Sequence, residues 1–83
     1  MKNNASQIKV LLFAELCEKY GWDEKYVSLD LIEDKKAKSI LKHININVAH
    51  QSIIVAINKE ISSLEATVKD NDEVAFMPIF TGG

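Results

Sequence analysis

The sequence predicts an α+β domain in which a β-sheet packs against one main helix. Three observations carry that prediction. The chain has 83 residues, enough for one domain with one modest core. Its apolar residues repeat at two different periods. They alternate by two near both ends and cluster as a β-branched run in the middle, but recur by three and four between Ala37 and Ile44. The segments therefore come in the order strand, strand, helix, strand, strand, which leaves the helix on one face of a sheet.

Each element has its own local reason. Met1–Gln7 is polar, with Lys2, Asn3, Asn4 and Ser6, and is expected to be a flexible leader. Ile8–Phe13 alternates and reads as the first strand, with Ile8, Val10 and Leu12 on one face and Lys9, Leu11 and Phe13 on the other. Ala14–Tyr20 reads as a short extra helix. Phe13, Leu16, Cys17 and Tyr20 form its stripe, and Gly21 ends it at a position suited to a left-handed backbone. After Trp22-Asp23-Glu24, Lys25–Leu29 is expected as a strand beside the first. Ile32–Ile44 is expected as the main helix, with acids Glu33 and Asp34 at its start and Lys42 and His43 at its end, matching the helix dipole. Asp34 and Lys38 stand at the spacing of a surface ion pair.

The second half is read in the same way. Asn45–Ser52 is a polar loop with Ile46 and Val48 tucked inward. Ile53–Asn58 is β-branched and reads as a central strand. Lys59-Glu60 reads as a tight turn into a short strand around Ile61. Ser62–Lys69 is a connection anchored by Leu64 and Val68. Asp70-Asn71-Asp72 is a turn, with Asn71 tolerating a left-handed backbone. Glu73–Ile79 is the last strand, and residues 79–83 form an extended tail. The organisation expected is thus a leader over 1–7, a domain over 8–78 and a tail over 79–83.

Composition excludes several function classes. The net charge is −2, with acids and lysines interspersed, so no basic face is available for nucleic acid. No apolar run approaches the ~20 residues of a membrane span, and Met1–Gln7 lacks the apolar core of a signal peptide. Cys17 is the single cysteine and has no disulfide partner within the chain, which fits a reducing cytoplasm. No metal site is expected.

The most informative stretch is the end, Glu73-Val74-Ala75-Phe76-Met77-Pro78-Ile79-Phe80-Thr81-Gly82-Gly83. A strand anchors a tail that closes on two glycines. Without side chains, Gly82-Gly83 can thread a channel that any Cβ would block. Five residues from Ile79 to Gly83 reach roughly 15–18 Å beyond the sheet. This is the geometry of a carrier that offers its own C-terminal carboxylate to another protein's active site. That carboxylate is inert until activated, which requires ATP. Gly21 is the one glycine outside the terminal pair, so the chain has no phosphate-cradling loop and a partner must do the activating.

On these residues the chain resembles the small, sulfur-carrying subunit of molybdopterin synthase, a ubiquitin-like β-grasp family. The matching segments are Ile8–Ala14, Val55–Asn58, Asp70–Phe76, Pro78 and Thr81-Gly82-Gly83. The resemblance implies a β-grasp fold in which first and last strands are neighbours. It implies a non-catalytic carrier for molybdenum-cofactor synthesis. An adenylyltransferase would form the acyl adenylate at Gly83, a persulfide donor would supply sulfur, and the resulting thiocarboxylate would serve the synthase large subunit. It further implies a heterotetramer with that subunit and no tightly bound cofactor in the carrier, with ATP used by the activating partner. Related carriers of the thiamine pathway and ubiquitin-like modifiers joined through the terminal glycine share the Gly-Gly ending. The family tends to have a basic residue where Cys17 stands, Gly where Asn71 stands and a second Pro where Ile79 stands.

Other candidates have plainer readings. Cys17 lies on an apolar stripe and is expected to be structural. His43 and His50 lack a supporting ligand cluster, and Asp70, Asp72 and Glu73 read as a solvated turn. Lys35, Lys36, Lys38 and Lys42 read as a helix's wet face. The anomaly is on the sheet. If Ile8, Val10, Leu12, Val74 and Phe76 face the helix, then Leu11, Phe13, Ala75 and Met77 face outward, and Ile61 can extend them. An exposed apolar patch of this kind marks a partner surface. The expected interface is therefore Leu11, Phe13, Ile61, Met77 and Phe80, beside a tail of Thr81, Gly82 and Gly83.

Overall fold

A computed structural model of the chain describes residues 6–79. It contains β1 (Gln7–Leu12), α1 (Glu15–Tyr20), β2 (Glu24–Ser28), α2 (Ala37–His43), β3 (Ile53–Ile57), β4 (Glu60–Ser62) and β5 (Glu73–Pro78). Single 3₁₀ turns lie at Leu29–Leu31 and His50–Ser52. The five strands form one mixed sheet in the order β2-β1-β5-β3-β4. The first and last strands pair in parallel at its centre, and the remaining pairs are antiparallel. This is the β-grasp arrangement, with α2 on one face.

Alternation decides which residues enter the core. On β1, Ile8, Val10 and Leu12 are buried, and across the register they meet Val27, Val74 and Phe76. β3 adds Ile53 and Val55, and α2 adds Ala37, Ile40 and Leu41. Phe76 is 0% exposed and is the largest of the fully buried side chains.

The main helix is shorter than the expected Ile32–Ile44. It begins at Ala37, not Ile32, because Ile32 already closes the 3₁₀ turn and Lys35 is left-handed at φ 56°. The connection after β4 explains the new start. The Ala37 N–H donates to the Ala66 carbonyl and the Lys38 N–H to that of Leu64, so another segment satisfies the donors a preceding turn would otherwise cover. The expected Asp34–Lys38 pair is replaced for the same reason. Asp34 precedes the helix and accepts from the Lys36 N–H at 3.1 Å, while Lys36 and Lys38 both reach Glu65, at 3.3 and 2.9 Å. The Ser39 hydroxyl and the Lys36 N–H hold the Asp34 carboxyl below its ordinary range. Hydrogen bonds from Lys38 and Lys36 lower Glu65, and Glu65 raises Lys38.

Other boundaries move too: β1 starts at Gln7, at the end of the expected leader, and β2 at Glu24. Leu29 is buried but belongs to the 3₁₀ turn, not to the expected strand Lys25–Leu29. The β3–β4 turn centres on Asn58-Lys59, at φ 53° and 73°, and Glu60 already pairs with Ile57. Two consecutive left-handed residues are what a tight hairpin needs to match strand twist.

Candidate functional site at the outer sheet face and tail root

The face of the sheet opposite α2 is built by the alternates of the core residues. Cross-strand neighbours share a face, so the register assembles it directly. One row runs Glu24, Leu11, Ala75, Ala56, Ile61 across all five strands. The next row brings Met77 beside Ile54, and Phe13 follows Leu12, whose partner Phe76 precedes Met77. The Phe13 N–H donates to the Phe76 carbonyl at 3.1 Å, which keeps Phe13 on the sheet although β1 ends at Leu12. Ala75 and Ala56 are only 6% and 7% exposed yet lie outside the core cluster. As small residues on the outer face, they are shadowed by larger neighbours. Phe13 is 46% exposed and Ile61 72%, and Leu11, Met77 and Ile54 are half-buried. A polar row of Tyr26, Lys9 and Glu73 borders the patch.

Phe13 is presented by an unusual turn. Ala14 sits at φ 54°, ψ −128°, a conformation natural to glycine. It redirects the chain so that Phe13 stays outside while Leu16, on α1, is buried inside.

The tail leaves from the same end of the sheet. After Pro78, which pairs with Ile53, the Ile79 N–H donates to the Ser52 carbonyl at 3.0 Å. Ile79 is 41% exposed. Phe80, Thr81, Gly82 and Gly83 lie outside the described residues.

Cys17 borders this face at its Phe13 end, whereas the remaining candidates lie exposed elsewhere or serve the backbone. Cys17 is half-buried, packs against the core, and lines a shallow groove with Phe13, Ala14, Asp23 and Glu24. His43 and His50 are exposed. Among the described residues no group of three His, Cys, Asp or Glu side chains is gathered as a metal site would need. The turn acids are structural. Asp70 accepts from the Gln7 N–H at 2.9 Å. Buried Asp72 accepts from the Lys69 N–H at 2.8 Å and from Asn58 Nδ2 at 2.9 Å, and Asn58 Oδ1 accepts from the Glu73 N–H. This clasp ties the β3–β4 hairpin to the start of β5, while Asn71 takes the expected left-handed conformation at φ 71°.

Sequence reasoning did not assign Ile54 and Ala56 to the outer face. Period two in Ile53–Ile57 held the signal, but its phase becomes legible only once β3 is paired with β5.

Comparison with known proteins agrees with this fold. Residues 10–83 match the model of the ThiS family. The chain is 35% identical over 85 aligned residues to the molybdopterin synthase sulfur carrier subunit of Dictyostelium discoideum, covering 95% of this chain and 99% of that one. It is 32% identical to the protein of the same name from Haemophilus influenzae, covering 92% and 99%. Among solved structures it is similar to the small archaeal modifier protein 1 of H. volcanii, with TM-score 0.72, 21% identity, and 90% and 99% coverage. A putative molybdopterin converting factor subunit 1 from Pyrococcus furiosus matches with TM-score 0.70, 20% identity, and 92% and 100% coverage.

Proposed function

This chain belongs to the ThiS family, and from that premise we propose that it is a sulfur carrier for molybdopterin synthesis. The observation that carries the reading is near-full-length similarity to subunits named for that role. In this reading the chain supplies no catalytic group and holds no cofactor. A partner adenylyltransferase uses ATP to convert the Gly83 carboxylate to an acyl adenylate, releasing pyrophosphate. The outer sulfur of a persulfide displaces AMP, and a thiol cleaves the resulting S–S bond to leave the thiocarboxylate. The synthase large subunit then takes that sulfur for the pterin precursor, in a heterotetramer.

The outer sheet face fits the docking half of this cycle. Leu11, Phe13, Ile61 and Met77, with Phe80, form the proposed interface, and Thr81, Gly82 and Gly83 enter the partner's channel. Phe13 and Ile61 offer exposed apolar area that the free domain does not need for its own core. The anchored Ile79 N–H lies at the end of the same sheet, so docking the face aims the tail.

Intact mass spectrometry tests the assignment. After incubation with the cognate activating enzyme, ATP and a sulfur donor, the chain should gain one oxygen-to-sulfur exchange, and deletion of Gly83 should abolish it. An unchanged mass, or an exchange that survives the deletion, would overturn it. Higher-mass adducts on lysines of other proteins would instead identify a ubiquitin-like modifier.

A further inference from the structure

A groove lies away from the outer sheet face, on the side of α2. Its volume is about 540 Å³, and Lys38, Lys42, Leu41, Ile46, Val48 and His50 line it together with Ser39, Asn45 and Asn47. A C-terminal helix motif creates it. Asn45 turns left-handed at φ 62°, the Ile46 N–H donates to the Leu41 carbonyl at 2.9 Å, and the Asn45 N–H donates to that of Lys42 at 3.1 Å. The chain therefore doubles back, and the segment up to His50 runs beside the helix it has just left. The Tyr20 hydroxyl accepts from the Asn47 N–H at 3.2 Å and pins this wall. Buried Leu41 and Ile46 and half-buried Val48 make an apolar floor.

Charge gives the groove its character. The chain carries 12 acids against 10 basic residues, yet no acid lines this groove. Lys38 already holds Glu65 from one side, while Lys42 has no ion-pair partner among the described residues. Lys38 and Lys42 stand one helical turn apart, about 5–6 Å between Cβ atoms, and His50 also lines the groove. Donors spread along a half-open groove suit carboxylates spaced along a chain better than one compact anion. Two lysines on a chain of net charge −2 are too few for nucleic acid, whose affinity depends on neutralising many phosphates.

We propose that the groove between α2 and residues 45–50 is a second docking site, for an acidic segment of a partner protein that also places an aliphatic side chain on the Leu41–Ile46 floor. It opens on the helical side of the sheet, so its occupant and a partner on the outer face do not compete.

The test is an NMR titration of the ¹⁵N-labelled chain with three probes: an eight-residue peptide of alternating glutamate and leucine, its glutamine-for-glutamate twin, and inorganic phosphate. The acidic peptide should move the amides of residues 38–50 in a saturable way, with the twin at least tenfold weaker and phosphate producing no saturable shift there. Lys42→Glu should abolish the saturable shifts with the melting temperature unchanged, and His50→Gln should weaken them. Shifts that are absent or fall elsewhere, a twin that binds equally, or retained binding in Lys42→Glu would overturn the proposal. So would phosphate saturating the same amides, which would make this a small-anion site.

Discussion

The two faces of the sheet are made from alternating residues of the same strands, yet they obey different rules. On the inner face Ile8, Val10, Val74 and Phe76 are sealed under α2. On the outer face Leu11, Phe13, Ile54, Met77 and Ile61 are nearly as apolar, but no element of the described chain covers them. Composition therefore does not separate core from surface here; coverage does. Apolar area on the inner face stabilises the free domain, whereas the same area on the outer face would contribute only if a partner removed it from water.

Substitutions on opposite faces of β5 and β1 sharpen this contrast. Phe76→Ala should have the largest effect, a loss of about 3–5 kcal/mol from lost transfer energy plus a cavity. Chemical denaturation would measure it, and a loss no larger than that of an outer-face variant would break the distinction. Phe13→Ala and Met77→Lys should do the reverse. Each should weaken binding to the proposed partner, a synthase large subunit, by roughly 2 kcal/mol, as expected for a central anchor, with little change in melting temperature. Calorimetric titration paired with thermal melts reads both quantities. A stability loss that tracks the binding loss would show that these residues belong to the fold.

Asp72→Ala should fall between the two faces in kind. It leaves Asn58 Nδ2 and the Lys69 N–H without their acceptor, so stability should drop by about 1–3 kcal/mol. Hydrogen exchange should localise the weakening to the β3–β4 hairpin and the entry of β5. Protection lost evenly over the whole sheet would contradict a local clasp.

The smallest effect belongs to the helix start. Glu65 lies on the surface between Lys36 and Lys38, so Glu65→Gln should shift the melting temperature slightly, and less as salt rises. The pH dependence has a definite sign. Glu65 and Asp34 are depressed, so their contribution is complete above the ordinary carboxyl range and is lost as pH falls through their lowered values. Lys38 is raised, so its contribution is complete below the ordinary lysine value and fades as pH climbs through the raised one. A melt series showing wild type and Glu65→Gln parallel down to the acid limit would remove Glu65 from this account.

Local patterns were legible wherever a residue's role depends on its immediate neighbours. Alternation in Ile8–Phe13 and Glu73–Ile79 reveals two faces because pleating imposes period two on any strand. Gly21 and Asn71 announce left-handed turns, and the structure has both. The stripe Ala37, Ile40, Leu41 marks one buried helix face. None of these readings needs a contact distant in sequence.

Tertiary structure decided what depends on segments far apart in the chain. The acids Glu33 and Asp34 suggest a helix entered at Ile32, and nothing local says that residues 32–36 stay outside it, because the start at Ala37 uses the carbonyls of Leu64 and Ala66, almost thirty residues away. Nor can β3 alone say which way Ile54 and Ala56 point. Their phase is set by pairing with β5, and that pairing joins three strands' outer residues into one patch. The Ser52 carbonyl that holds Ile79 likewise comes from another strand's approach. Period is a property of a single backbone and can be read from a string of residues. Phase, helix start and coverage are properties of which backbones meet, and they exist only once the chain has folded.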